Sequence, residues 1–336
     1  MSKIEWTEAT WNPIVGCSIV SPGCTHCYAM RMAARIEAMG NTAHYDGTTQ
    51  SSKAGAVWTG KVALAPDHIL IEPLHRKKPT TYFVNSMGDL FHESVPDEWV
   101  DRIFAIMALA PQHTFQVLTK RSARMRAYFA SDVGGLGRRV GIDLASANMV
   151  MEGVIPPCRA IRLPLPNVWL GISAEDQRRA DERVPDLLAT PAAVRFVSAE
   201  PLLGGIDFTS IPDGVVDGIP IAFNALSSVY DVAPHIDWII VGGESGPGAR
   251  PTHPDWARSI RDQCAAADVP FFFKQWGEFR IVPAKDGSET WPAPWFGSTP
   301  PRSGDLARMT RVGKKRAGRL LDGIEHNAMP KMMVAA

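Results

Sequence analysis

Short runs rich in β-branched and aromatic residues recur along the chain, and each gives way to small, polar or charged residues. They are Thr81–Ser86, Thr114–Thr119, Val168–Ser173, Val194–Ala199, Asp237–Gly242 and Val269–Lys274. Stretches of helical period lie between several of them, at Cys27–Met39, Asp97–Leu109, Arg121–Phe129, Asp176–Ala189 and Pro254–Ala267. Strands that are apolar almost throughout must be covered on both faces, so the pattern points to an α/β fold with a parallel sheet. Repetition over six or seven units favours a parallel (β/α) barrel, partial or closed, with a doubly wound sheet as the alternative because one sequence does not report strand order. The expected organisation is a barrel over residues 1–280 and a C-terminal extension or cap over 281–336. Insertions are expected at about 41–79 and 204–234, as lids over one face.

An apolar content of 45% in 336 residues excludes general disorder. Lysine plus arginine equals aspartate plus glutamate at 35 each, so overall charge predicts neither a nucleic-acid nor a membrane partner, and any basic patch is local. No run approaches the ~20 apolar residues of a membrane span, and the N-terminus lacks a signal-peptide stretch. A cytoplasmic protein with no membrane partner is the expectation. Five cysteines are an odd number, and a disulfide framework suits a reducing compartment poorly.

Three of those cysteines, Cys17, Cys24 and Cys27, read C-x6-C-x2-C in a loop rich in Gly, Pro and Ser, after a first strand expected near Trp11–Val15 and at the start of a helix. Such a loop can turn thiolates inward and bring backbone N–H groups near sulfide, which suits an iron–sulfur cluster. Three thiolates leave one iron of a [4Fe-4S] cluster without a protein ligand. Structural zinc asks for a fourth ligand, for which only His26 or His44 is near in sequence. Cys158 and Cys264 stand alone and read as core thiols.

The three-cysteine loop after a first strand, followed by βα units, resembles the radical S-adenosylmethionine superfamily, whose usual spacing is C-x3-C-x2-C. More closely, the chain resembles the phage and prophage three-Cys-motif proteins, a bacterial and bacteriophage family with a domain of unknown function. The segments that carry this are TWNPIVGC, GCTHCYA, NSMGDLF, VLTKR, LGISAE, SAEPLLG, IIVGGESG and FFKQWGE, over residues 10–278. The resemblance implies a [4Fe-4S] cluster on Cys17, Cys24 and Cys27, with S-adenosylmethionine at the open iron. It implies reductive cleavage to a 5′-deoxyadenosyl radical and a flavodoxin- or ferredoxin-like electron donor.

Residues just past the strands are the candidate binding surface, because ligands of parallel barrels lie at the carboxyl ends of the strands. Ser86, Met87, Gly88 and Asp89 fall where the superfamily's glycine-glycine-glutamate segment would lie. Ser173, Glu175 and Glu200 are candidates for ribose or amino contacts, and Lys120, Arg121 and Lys274 for a carboxylate or phosphate. Gly242, Gly243 and Glu244 follow a further strand, where glycine would let backbone approach an adenine; a tight turn is the competing reading. Some of these charges are alternatively buried ion pairs beneath the mouth. Tyr28, Tyr82 and Cys158 are conceivable radical relays, with structural roles as the alternative.

Arg308, Arg311, Lys314, Lys315, Arg316 and Arg319 form a run without an acid between them, downstream of Trp276, Trp291 and Trp295, where bases could stack. DNA or RNA modification or repair is therefore one substrate reading. A small-molecule or protein-modifying radical enzyme is the second, and a non-enzymatic iron–sulfur or zinc protein the third.

Overall fold

The computed structural model describes residues 4–40, 42–53, 55–131, 137–153, 161–228, 233–282 and 308–331. Seven strands form one sheet: β1 (Ala9–Trp11), β2 (Thr81–Val84), β3 (Thr114–Thr119), β4 (Val168–Ser173), β5 (Val194–Ala199), β6 (Trp238–Gly242) and β7 (Phe271–Gln275). They lie side by side in chain order and every neighbouring pair is parallel, so the sheet curls into a half-barrel. The expected partial parallel barrel is what the chain forms.

Alternation along the strands sorts their side chains to two faces. The outer face, with Tyr82, Phe115, Val117, Leu170, Val197, Ile239 and Phe273, joins the main core beneath the helices. These helices are α1 (Tyr28–Ala38), α2 (Asp97–Leu109), α3 (Ser122–Ala130), α4 (Arg139–Met151), α5 (Gln177–Leu188) and α6 (Pro254–Ala266). Their starts are chemically marked. Asp97 and Glu98 meet the positive end of α2, the Asp176 carboxylate accepts from Arg179 N at 2.9 Å to cap α5, and α6 opens on Pro254.

The inner face is closed at the amino-terminal end by aromatics. Trp6 lies 5.0 Å from Phe83 and 5.9 Å from Trp238, both edge-on, and Trp169, Phe196 and Phe272 complete the cluster. Thr114 and Gln116 of β3 are the polar residues among these aromatics, whereas Ser173, Ser198 and Lys274 carry inner-face polar groups at the carboxyl ends of their strands. This is where a site can form.

Two expectations need correction. The first strand ends at Trp11, because Pro13 has no N–H for the ladder, and Ile14–Val15 instead pairs antiparallel with Ala63–Leu64. The 41–79 insertion is not a free lid. It holds a hairpin, Thr49–Ser52 with Gly55–Trp58, and buries Tyr45 and Trp58 against Val15, Ala29, Met30, Ala33 and Met87, forming a wall beside the cysteine loop. The 204–234 insertion carries the hairpin Ile211–Val216 with Ile219–Phe223, seated on α5, with Ile211 in the main core. After β7, Phe279–Val282 pairs with Arg308–Arg311, and His326 O and Asn327 bond to the free edge of β7 at Phe273 and Phe272.

Candidate functional site

The cysteine loop crosses the carboxyl end of β1 and is fixed from three sides. Its backbone joins the end of β2, where Gly16 N donates to Met87 O at 3.0 Å and Gly16 bridges Gly88. Asn12 Oδ1 accepts from Ser86 Oγ at 3.0 Å and from Met87 N at 3.1 Å. From β3, the buried Arg121 guanidinium donates Nη2 to Ser18 Oγ at 2.7 Å and Nη1 to Cys17 Sγ at 3.5 Å. From β4, Glu175 Oε1 accepts from Gly23 N at 3.0 Å, while its other oxygen lies 3.1 Å from Arg183 Nη1. The loop is thus held at Gly16, at Cys17–Ser18 and at Gly23, at both ends of the gap between Cys17 and Cys24.

Among the described cysteines none is paired in a disulfide. The Cys24 thiol is close enough to both Cys17 and Cys27 to act on each electrostatically. Burial pushes the Cys17 thiol up to about 12, with Asp89 adding to it and Arg121 opposing it; burial raises Cys27 likewise, against the pull of Lys120. These thiols are protonated unless a metal replaces the proton. No group of three or more His, Cys, Asp or Glu side chains surrounds a single ion-sized point among the described residues. One tetrahedral ion with bonds of about 2.3 Å draws its sulfurs to within about 4 Å of each other. A four-iron cluster places its own irons and sulfides between the thiolates and asks for a wider spacing. The donor set fits such an anionic cluster in two respects: soft ligands in one fixed loop, and two cations nearby, Arg121 donating to Cys17 Sγ and Lys120 acting on Cys27 through its charge.

Several candidate residues prove to be fully engaged within the protein. Met87 is core, packed with Val15 and Ala29, and Gly88 lies in backbone contact with the cysteine loop. Asp89 is no open acceptor for an ammonium group. It takes Thr119 Oγ1 at 2.7 Å, Phe91 N at 3.0 Å, Lys120 N at 3.2 Å and Arg121 Nη1 at 3.0 Å. Glu244 is held by Arg250 through Nε at 2.8 Å and Nη2 at 2.6 Å. Gly243 serves loop packing, since a Cβ there would overlap Trp276 O. A Cβ on Gly242 would stand 3.1 Å from the Glu200 carboxyl carbon. The competing turn-and-ion-pair reading therefore describes Asp89, Arg121, Gly243 and Glu244.

What faces the mouth is a smaller set. Ser173 is buried on the inner face, and its carbonyl accepts from Arg183 Nη1 at 2.7 Å. Glu200 and Lys274 meet across β5 and β7, with Nζ 2.8 and 3.0 Å from the two carboxylate oxygens. Lys120 lies between Cys27 and Glu175 electrostatically, and its ammonium makes no ion pair among the described residues. Burial alone would raise Glu175, but Lys120, Arg183 and donors from Ser21 and Gly23 hold it below the usual carboxylate range. It is a charged anchor for the loop.

Tyr28 completes the rim: it leads α1 directly after Cys27, is 50% exposed, and donates its hydroxyl to Ser86 O at 3.0 Å. The other relay candidates fall elsewhere. Tyr82 lies on the outer face and donates to Glu72 Oε2 at 2.9 Å, and Cys158 is outside the described residues. Cys264 is buried in the main core, which pushes its thiol up to about 12. Trp276 is buried with its indole N–H on Leu320 O at 2.8 Å and offers no stacking face; Trp291 and Trp295 are outside the described residues. Sequence reasoning did not foresee Asn12 or Arg183 as supports. The Asn-Pro step after β1 and an arginine on the sheet-facing side of α5 were the only traces of them.

The family described as "Protein of unknown function (DUF5131)" matches residues 1–330, and the chain belongs to it. No curated protein and no solved structure matches the chain. No helix among the described residues is long and apolar enough to cross a membrane.

Proposed function

We propose that this protein is an enzyme of the radical S-adenosylmethionine kind, holding a [4Fe-4S] cluster on Cys17, Cys24 and Cys27. The observation that carries the reading is the placement of all three cysteines on one loop, anchored by Arg121 and Glu175, at the carboxyl end of the first strand of a parallel half-barrel. When bound, the cluster and S-adenosylmethionine would supply one-electron cleavage of a carbon–sulfur bond. A small flavodoxin- or ferredoxin-like protein is the donor class that such chemistry needs.

The chain's own residues have separable tasks. Arg121 and Lys120 offset negative charge beside the sulfurs. Lys120, which makes no ion pair among the described residues although its charge acts on Glu175, would take the carboxylate of the cofactor, and Ser173 and the Glu200–Lys274 pair would offer polar contacts to its ribose or amino group. The aromatic plug at the amino-terminal end excludes water from below, and the 41–79 wall excludes it from one side. The resemblance of the sequence segments to the phage and prophage three-Cys-motif proteins makes a bacterial or phage setting part of the proposal.

The test is anaerobic. Protein reconstituted with iron and sulfide and reduced with dithionite is incubated with S-adenosylmethionine, and 5′-deoxyadenosine is measured by chromatography. Release that is lost in Cys17→Ser, Cys24→Ser and Cys27→Ser, and kept in Cys264→Ser, is expected. Iron-loaded protein that neither binds nor cleaves S-adenosylmethionine would leave a cluster protein of the electron-transfer or sensing kind.

A further inference from the structure

The loop after β6, residues 243–250, lies directly against the cysteine loop. Arg250 Nη2 donates to Pro22 O at 3.0 Å, and a Cβ on Gly248 would come within 2.8 Å of the His26 ring. Two arginines from distant parts of the chain meet on this loop at Gly246, whose φ of +97° and missing Cβ make room for one of them. Arg31 of α1 places Nη2 at 2.5 Å from where that Cβ would stand, and Arg311 donates Nη2 to Gly246 O at 2.8 Å. The nearby carboxylate, Glu278, accepts from Gly246 N at 2.9 Å and is 3.9 Å from Arg311 Nε.

Three residues beyond Arg311, the short helix Lys314–Ala317 adds three more cations, all exposed. Lys314 lies 3.6 Å from Glu5, while Arg31, Lys315 and Arg316 make no ion pair among the described residues. Among the described residues, Arg31, Lys315 and Arg316 thus have no carboxylate to offset them and Arg311 has only Glu278 at 3.9 Å, so the excess positive charge favours a polyanion. One helical turn before Arg31, and so on the same side of α1, Tyr28 holds its half-exposed ring at the mouth through its bond to Ser86 O. An exposed aromatic ring one turn from Arg31, which meets Arg311 at Gly246 and through it the cations of the short helix, offers the pairing that single strands use: phosphates on the charges and a base on the ring.

We propose that this rim seats a single-stranded nucleic acid, with phosphates along Arg31, Arg311, Lys315 and Arg316 and one base stacked on Tyr28 beside the cysteine loop. The proposal deepens the radical-enzyme reading by naming its substrate class and rests on that reading for what then happens to the strand. Binding itself needs no cluster. It also moves the stacking role from Trp276, which is buried, to Tyr28.

Iron-free full-length protein is titrated against labelled single-stranded DNA and single-stranded RNA of the same mixed sequence, read by fluorescence anisotropy between 50 and 200 mM salt, concentrations of about the range over which phosphate contacts weaken. Binding that weakens with salt is expected, and the tighter of the two strands identifies the substrate. Arg31→Ala with Lys315→Ala and Arg316→Ala lowers the log–log salt slope by about 2, and Lys315→Ala alone by about 0.7. Tyr28→Ala weakens binding by about tenfold with the slope unchanged, and Tyr28→Phe retains it. Lys77→Ala with Lys78→Ala, before the amino-terminal end of β2, leaves both quantities as they were. Absence of binding at low salt, an unaltered slope in both cation variants, or dextran sulfate binding as tightly as either strand overturns the proposal. Strand binding without 5′-deoxyadenosine release refutes only the radical reading, and release without strand binding refutes only this one.

Discussion

Replacing Arg121 by methionine tests the anchoring of the cysteine loop most sharply. The guanidinium is buried and donates to Asp89 Oδ2 at 3.0 Å, Glu93 Oε2 at 2.8 Å, Ser18 Oγ at 2.7 Å and Cys17 Sγ at 3.5 Å. Removing one member of a buried ion pair costs about 3–5 kcal/mol, because the other charge is left without compensation. Asp89 keeps three uncharged donors, Thr119 Oγ1, Phe91 N and Lys120 N, so the lower end applies, about 3 kcal/mol. Over 336 residues, an unfolding entropy of about 2.1 cal/mol/K per residue amounts to ~0.7 kcal/mol/K, and the thermal midpoint falls by about 4 °C. Adding Asp89→Asn removes the stranded charge, so the double variant recovers about 2 kcal/mol relative to the sum of the single losses. Urea unfolding of the parent, both single variants and the double variant measures this coupling, and iron per chain after reconstitution reports the loop. We expect Arg121→Met to lose most of its iron while remaining folded. Parental stability and full iron content in Arg121→Met, or strictly additive losses in the cycle, would refute the anchoring role.

Gly243→Ala pushes a methyl group into Trp276 O and is expected to destabilise by about 1–3 kcal/mol in urea melts, through the β6 and β7 loops rather than through any ligand. Tyr82→Phe removes the bond to Glu72 on the outer face, costing about 1 kcal/mol of stability while leaving iron content and S-adenosylmethionine binding unchanged. Hydrogen bonds from Arg258 and then Arg261 lower the Asp322 pKa, so the stability this group adds is present above its unfolded value of about 4 and is lost as pH falls through the folded value. Asp322→Asn should flatten that part of the decline in thermal midpoint at acid pH without altering neutral-pH iron content.

The fold was legible where both faces of a strand are buried. Val168–Ser173, for example, is buried at every position and reads as an unbroken apolar run. Helix α4 escaped the periodicity because its apolar residues mark no single face: Ile142 and Met149 are buried, whereas Leu144 is 57% and Met151 84% exposed. The hairpin Ile211–Val216 with Ile219–Phe223 was hidden by Pro212 and Gly214, which sit at its register shift. At the site, the cysteine loop and strand-end charges were visible as residue types, but their pairings were not. Asp89 and Arg121 are 32 residues apart and Glu175 and Gly23 are 152 apart, distances at which no local pattern reveals that one residue neutralises or caps the other. Carboxylates that read as ligand acceptors at Asp89, Glu175 and Glu244 thus turn out to hold the protein's own loops.

The central claim is that Cys17, Cys24 and Cys27 jointly hold an iron–sulfur cluster. Metal and acid-labile sulfide analysis of anaerobically purified and reconstituted protein measures it directly. About four irons and four sulfides per chain, absent from each of the three cysteine-to-serine variants, is the predicted result. One zinc per chain with no sulfide, or iron that persists when these cysteines are replaced, would contradict it.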